Sequence, residues 1–349
     1  MQLKKDAVIL GIETSCDETA AGIVRGGREI LADEIISSAT EHVCFGGVVP
    51  EIASRAHTEA VLEATKRALA SSNLGFSDID AIAVTYGAGL LGALLVGVSF
   101  AKGLAYALDK PLVAVNHIRG HIAAAYLADK TLEPPYVALL ASGGHTAVIH
   151  VKNYSEHEVL GSTLDDAAGE AFDKVARVLG LSYPGGPNVE KLARQGERNI
   201  AFPAMLKGSH TFDFSYSGLK TSVVNYVHTK AQKGEAFSAA DVAASFQSAA
   251  LDVLADKLFA AAEKLGIRTV AAGGGVAANG YLREELTRRA AEKGFKLVLP
   301  ERRYCTDNGC MIAAEGYIRY ISGDFAGLDL NAKASIPLKN ALRGGAGKE

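Results

Sequence analysis

Two histidines four residues apart, His117 and His121 in the run NHIRGHIAAAY, are the residues whose types and spacing point most directly to chemistry. On an α-helix, side chains at i and i+4 leave one face one turn apart, and two neutral imidazoles so placed bind one transition metal without bending the backbone. The preceding PLVAV reads as a short apolar strand and Asn116 as the N-cap of the helix, which puts the pair at the rim of a sheet. Two polar residues on a half-exposed helix give the same spacing, so a third ligand has to decide. The candidate is Asp307 in RRYCTDNG, at or just before a helix expected over about 310–320. It serves there either as the helix cap or as a carboxylate ligand. Two histidines and one carboxylate form a facial set with open positions, which suits iron(II), with zinc the other option.

The elements that must position these residues are legible as hydrophobic patterning. DAVILGIE reads as a buried strand, TSCDET as a polar turn, the stretch from Ala20 as a returning strand closed by Gly26-Gly27, and Glu29 to Ser38 as a third strand. In the turn, Thr14, Ser15 and Thr19 offer hydroxyls to a phosphate, while Asp17 and Glu18 offer carboxylates to a cation or a nucleophile; ordinary turn chemistry is the competing account. FGGVVPEIASRAHTEAVLEATKRALA begins as a loop and becomes an amphipathic helix, on which His57 reads as a surface or interface histidine. IDAIAVT is a further strand. The Gly-rich start of the apolar helix GAGLLGALLVGVSFAKGLAYA is either an anion site or tight helix–sheet packing.

TLEPP breaks the chain, and the opening pattern then returns: YVALLA as a strand, SGGHT as a small-residue turn, AVIHV as the returning strand. Two strand–turn–strand blocks predict duplicated lobes, each with a turn the backbone of a ligand can approach. Asp165, Asp166, Glu170 and Asp173 crowd a helix start before YPGGP, which reads as helix capping or as a polar wall for ribose hydroxyls. FDFSYSGLKTSV gathers aromatics, hydroxyls and Lys220, either as a substrate contact or as an aromatic anchor under a loop. A long Ala-rich helix follows from Asp241, then a strand running into AAGGGVAAN, with a helix from about Asn279.

A chain of 349 residues, 48% apolar and with 37 glycines, fits a two-domain α/β protein. Its formal net charge of −3 gives no global basic field, so RNA contact needs a local patch or a partner. Cys16, Cys44, Cys305 and Cys310 form no CxxC pair, no secretory pattern opens the chain, and its first apolar run is far short of a membrane span. The expectation is a soluble cytoplasmic protein with reduced thiols and no membrane partner.

Taken together, GIETSCDET, GGVVPEIASRAH, NHIRGHIAAAY, LLASGGHT, DDAAGEAFDKVARVLGLSYPGGP, FSYSGLKT, AAGGGVAAN and YCTDNG resemble the bacterial TsaD family, long called glycoprotease or O-sialoglycoprotein endopeptidase homologues. The resemblance runs in order over about residues 6–325. It implies a two-lobed actin/hexokinase/Hsp70-like ATPase fold with duplicated lobes around a nucleotide cleft, divided as 1–130, 131–325 with its last helix packing back near the cleft, and a tail 326–349. It implies transfer of threonylcarbamoyl from threonylcarbamoyl-AMP to N6 of adenosine 37 in tRNAs reading ANN codons, with release of AMP. His117, His121 and Asp307 fall on the family's metal ligands. Leu140, Ala141, Ser142, Gly143, Gly144, Asp173, Gly186, Glu190 and Asn279 fall on its substrate-adenylate contacts. The implied cofactors are one divalent metal ion, iron(II) or zinc, and the adenylate. The implied partners are tRNA, a TsaB-like paralogous subunit and a TsaE-like ATPase, with a second copy of the chain a further candidate. A general base is not identified by the resemblance; Asp17 and Glu18 are the candidates.

Three other activities compete. A zincin metallopeptidase needs HExxH, but Ile118, Arg119 and Gly120 fill the interval here and no glutamate stands between the histidines. A small-molecule kinase or a chaperone-like ATPase of the same superfamily would release ADP rather than AMP.

Overall fold

The computed structural model describes residues 3–203, 205–206 and 211–342. The chain forms two compact units. The first takes residues up to Glu133, then Asn153–His157, then those from Thr306 onward; the second takes Pro134–Lys152 and Glu158–Cys305.

The first unit is built on a sheet of order β3-β2-β1-β4-β5, with β1 (Val8–Glu13), β2 (Glu18–Arg25), β3 (Glu29–Ser37), β4 (Ala81–Gly87) and β5 (Leu112–Asn116). β1 runs antiparallel to β2 and parallel to β4, and β4 runs parallel to β5. All six residues of β1 are buried, as expected of a strand covered on both faces, which is why VILGIE shows no alternation. Gly26 and Gly27, both at positive φ, turn β2 into β3. After the short α1 (Ala39–His42), α2 (Pro50–Ser72) packs on β2 and β3, and α3 (Leu91–Leu108) packs on β4. α3 is the one described helix long and apolar enough to cross a membrane, but its Leu94, Val98, Ala101 and Ala105 belong to the core formed with β1 and β4. α4 (His117–Ala128) follows β5 without a break.

The second unit repeats this plan. β6 (Tyr136–Ala141), β7 (Thr146–Val151), β8 (His157–Ser162), β9 (Thr269–Gly273) and β10 (Lys296–Val298) form a sheet of order β10-β9-β6-β7-β8. β6 is antiparallel to β7 and parallel to β9, and β9 is parallel to β10. Read from its hairpin outward, this is the strand order and sense of the first sheet, so the two strand–turn–strand blocks mark a duplicated topology. α5 (Ala168–Val178), α6 (Gly185–Ala193), α7 (Ser217–Gln232), α8 (Ala239–Leu265) and α9 (Gly280–Lys293) complete the unit. α8 is its core helix; Phe246 meets Phe172 of α5 edge to face at 4.9 Å.

The boundaries differ from those expected at 130/131 and 325/326. The chain returns to the first unit at Thr306, so α10 (Gly309–Ile321) packs on β1, β2 and β4. Three glycines explain this: a Cβ on Gly11 or Gly22 would enter the backbone of Gly309 and its neighbours, and a Cβ on Gly309 would enter that of Gly22. The tail also joins the first unit, with Ala326 N donating to Leu112 O at 2.8 Å and Lys333 N to Tyr86 O at 2.8 Å before α11 (Leu338–Ala341). Residues 343–349 of the expected tail lie outside the described residues.

Gly22→Ala should therefore destabilise the protein by about 1–3 kcal/mol through overpacking. Gly103→Ala, where an added Cβ meets nothing within 4 Å on α3, should be neutral or slightly stabilising. Urea unfolding of the two variants checks the contrast.

Candidate functional site

Asn116 ends β5 and caps α4, its Oδ1 accepting from Ile118 N at 2.9 Å, so the helix opens on His117 and His121 follows one turn later. Their ring centroids lie 4.6 Å apart, edge to face. α10 is capped by Asn308, whose Oδ1 accepts from Met311 N at 2.8 Å. The capping account of Asp307 therefore falls to its neighbour. Asp307 instead faces the histidines, with Oδ1 3.2 Å from His121 Nε2 and 3.5 Å from His117 Nε2.

One donor atom from each of the three residues lies within 4.8 Å of the others. His121 is buried, its Nε2 lies 3.2 Å from Asp307 Oδ1, and its Nδ1 has no hydrogen-bond partner among the described residues. Buried imidazole nitrogens are rarely left so. The donor set and the unsatisfied ring nitrogen both fit a metal ion.

Glu13, at the end of β1, is the residue that sequence reasoning missed. Fully buried, it accepts from Ser15 N and from Thr85 Oγ1, both at 2.5 Å, and stands 3.2 Å from His117 Nδ1. Its signal was an acid closing an otherwise apolar strand. A carboxylate on Nδ1 fixes the tautomer and turns Nε2 toward Asp307, the usual outer partner of a metal-binding histidine. Burial works against a charged His117, but Asp307 and Glu13 outweigh it and push the imidazole up to about 9. Burial likewise opposes the Asp307 carboxylate, and the two histidines hold it well below its ordinary range. A metal at this site replaces a proton.

The acidic turn is tied from within. Thr14 Oγ1 donates to Ala93 O at 3.0 Å, Ser15 Oγ lies 3.1 Å from His117 Nδ1, and Thr19 Oγ1 lies 2.7 Å from His57 Nδ1. The hydroxyls expected to meet phosphates are thus engaged in protein contacts. His57 is fully buried rather than at the surface, and its Nε2 is 3.0 Å from Cys16 O, which anchors the turn to α2. Burial and the carboxylates of Asp17 and Asp307 push Glu18 up to about 9. Just before α3, Leu90 N donates to Ser15 O and Gly89 N to Ala334 O, and a Cβ on Gly97 would strike Thr14 Oγ1, which fits tight packing of the helix on the sheet. No cysteine is disulfide-bonded.

In the second unit, contacts link the turn Leu140–Gly144 to the other expected adenylate positions. Gly274, at φ +90°, lies where a Cβ would strike Ala141 O, so the GGG run packs directly under the turn. Ser142 O accepts from Gly169 N at 3.2 Å, joining the turn to α5, while Gly143 and Gly144 face open space. Asp173 Oδ1 accepts from Gly185 N at 2.8 Å, beside Gly186 at the start of α6. Glu190 on α6 accepts from Gly280 N at 3.1 Å and pairs with Arg194. Asn279 caps α9 through Leu282 N and donates to Gln247 Oε1 at 2.9 Å. A cavity of about 380 Å³ adjoins Glu190 and Gly280.

The proposed wall of four acids shrinks to one. Asp165 accepts from Ser215 Oγ, Tyr216 N and Ser217 N, Asp166 pairs with Lys174 and Lys220, and Glu170 pairs with Lys174. Phe214 and Tyr216 are buried and Tyr216 donates to Ala250 O, so FSYSGLKT is an aromatic anchor.

A family model described as TsaD, tRNA N6-adenosine threonylcarbamoyltransferase, matches residues 29–314. A tRNA N6-adenosine threonylcarbamoyltransferase of Clostridium beijerinckii is 51% identical over 332 residues, 95% of this chain and 98% of the relative. One of Clostridium botulinum is 50% identical over 337 residues, 96% and 99% of the two chains. Among solved structures, HypF of T. kodakarensis superposes with a TM-score of 0.63 at 18% identity, covering 93% of this chain and 49% of that longer one. The (R)-2-hydroxyglutaryl-CoA dehydratase component A of Acidaminococcus fermentans gives 0.54 at 16%, covering 90% and 99%. These structures share the fold.

If Glu13 orients His117, Glu13→Gln should weaken metal binding by about 10–100-fold while leaving the fold in place. Cobalt(II) titration with circular dichroism checks this.

Proposed function

The chain belongs to the TsaD family of tRNA N6-adenosine threonylcarbamoyltransferases, and on that premise we propose that His117, His121 and Asp307 hold the divalent ion on which its reaction depends. The enzyme is an acyltransferase that modifies tRNA, placing a threonylcarbamoyl group on N6 of an adenosine. The observation that carries the metal reading is the convergence of one donor atom each from His117, His121 and Asp307 within 4.8 Å. Iron(II) suits the two-histidine, one-carboxylate set best, with zinc the alternative. The ion supplies a Lewis acid for the carbonyl and phosphate oxygens of the acyl donor.

The donor in this reading is threonylcarbamoyl-AMP and the acceptor adenosine 37 of tRNAs that read ANN codons. The backbone N–H groups of Gly143 and Gly144 receive the phosphate, which their open surroundings support. Asp173, Gly186, Glu190 and Asn279 receive the nucleoside. The N6–carbonyl bond forms, the bond from that carbonyl to the phosphate oxygen breaks, and AMP leaves with the electron pair. N6 must lose a proton. Of the two candidates, Glu18 has its carboxyl pushed up by burial and by Asp17 and Asp307, and Asp17 is the base in this proposal.

With a net charge of −3, the chain is a poor tRNA binder by long-range field, which supports partners that share the task. The exposed side chains of Leu62 on α2 and of Leu91, Leu95 and Tyr106 on α3 support a protein docking on these helices, a TsaB-like subunit in our reading. A TsaE-like ATPase and a second copy of the chain complete the proposed partners.

His117→Ala and Asp307→Ala should each lower transfer by about a hundredfold or more. The check is nucleoside mass analysis of unmodified ANN-decoding tRNA incubated with the chain, its partners and threonylcarbamoyl-AMP. Wild-type turnover in either variant would remove the ion from the reaction. Asp17→Asn should lower kcat by about 10²–10⁴-fold with little change in KM, and Glu18→Gln by much less. Equal losses would assign the proton transfer elsewhere.

A further inference from the structure

Arg119 lies between the two histidines in sequence but, two positions after His117, leaves α4 about 200° round the helix. It is 2% exposed, and its guanidinium makes four hydrogen bonds. Nε donates to Glu315 Oε1 at 2.5 Å, Nη1 to Ser155 O at 3.2 Å and Leu342 O at 3.1 Å, and Nη2 to Tyr154 O at 2.8 Å. Glu315, 1% exposed, sits on α10 and also accepts from Arg319 Nε at 3.1 Å; Arg319 in turn donates to Asp324 Oδ2 at 2.8 Å. Next to Arg119, Gly120 lets α4 press onto α10, since a Cβ there would stand 2.8 Å from Ile312 Cδ1.

These contacts join the two elements that the metal ligands come from. α4 carries His117 and His121, and α10 begins two residues after Asp307. A shift of α4 along α10 by a fraction of a turn would move both imidazoles away from the carboxylate. We propose that Arg119 is a positioning residue of the metal centre, setting the register of α4 on α10 through Glu315 and locking it through the carbonyls of Tyr154, Ser155 and Leu342. The inference rests on the metal reading given above. A buried ion pair contributes little net stability over well-packed apolar side chains, so its service here is geometry. The planar fork is needed because one ammonium cannot serve acceptors spread over three segments of chain.

Cobalt(II) serves as the probe, read by its visible absorption and its dissociation constant, with thermal melting in a chelator as the measure of fold. Arg119→Met/Glu315→Met removes both charges and keeps the bulk. It should melt close to wild type yet bind cobalt(II) about tenfold or more weakly, with an altered spectrum. Arg119→Lys should not restore affinity. A double variant with wild-type affinity and spectrum overturns the inference. Should that variant fail to fold, Arg119→Lys alone decides, because it keeps the charge and loses the fork: weakened cobalt(II) binding sustains the inference and wild-type affinity overturns it. His117→Ala/His121→Ala separates the two levels. If wild type binds cobalt(II) no better than this control, the metal reading fails and the positioning role falls with it. If wild type binds and only the Arg119 variants are indifferent, the positioning role alone is wrong.

Discussion

The closest packing in the first unit is backbone against backbone, where α10 lies on β1 and β2 through Gly11, Gly22 and Gly309. No side chain separates the helix from the sheet there. That contact fixes where α10 starts, and so where Asp307 stands, more than 180 residues after the histidines it faces. It also dictates the division of the chain, since a helix that buries its small-residue face on the first sheet cannot belong to the unit that precedes it in sequence. Asn308 caps the helix and frees Asp307 from that task, so two adjacent polar residues divide local structure and site chemistry between them.

The duplicated topology gives the same plan to both units. In each, a hairpin turn and the end of a parallel strand supply the polar residues: Thr14 to Asp17 with His117 in the first, Ser142 to Gly144 with Gly274 and Asn279 in the second. Strand ends in open α/β sheets expose backbone groups that the sheet itself no longer pairs, which is why ligands gather there. The two copies have diverged in chemistry. The first edge carries carboxylates and imidazoles, the second small residues and open backbone.

Much of this was legible in residue order. The strand ending at Asn116, the cap, the histidine pair, the two hairpins and the helix opening at Gly280 follow from short-range patterning, and the structure has them where expected. What patterning does not carry is pairing over distance. Asp165 and Asp166 read as part of a ligand wall because their partners Ser215, Tyr216 and Lys220 are set by tertiary packing, whereas Glu170 pairs with Lys174 one turn along the same helix. His57 read as a surface residue because helix periodicity does not say that Thr19 and Cys16 wait on its buried side. Glu13 was hidden for the opposite reason: it ends an apolar strand and looks like its polar boundary. Once buried it has to be satisfied, and Ser15, Thr85 and His117 satisfy it.

The balance of charge gives a reason for the ion that does not depend on family. Glu13 and Asp307 flank His117, and Asp17 and Glu18 lie in the turn close by, so four carboxyl groups meet two imidazoles in a largely buried space. Like charges removed from water raise one another's proton affinity. The Glu18 carboxyl is pushed up accordingly, by burial and by Asp17 and Asp307. Without a counter-charge the site needs protons at His117 and Glu18 to reduce its negative surplus, and these do not cancel it. A divalent cation in contact with Asp307 removes that need, and the repulsion that makes the bare site costly becomes affinity for the metal. The ligand geometry is held by the Asn116 and Asn308 caps, by Glu13 and by the Arg119–Glu315 pair, while the negative surplus draws the ion.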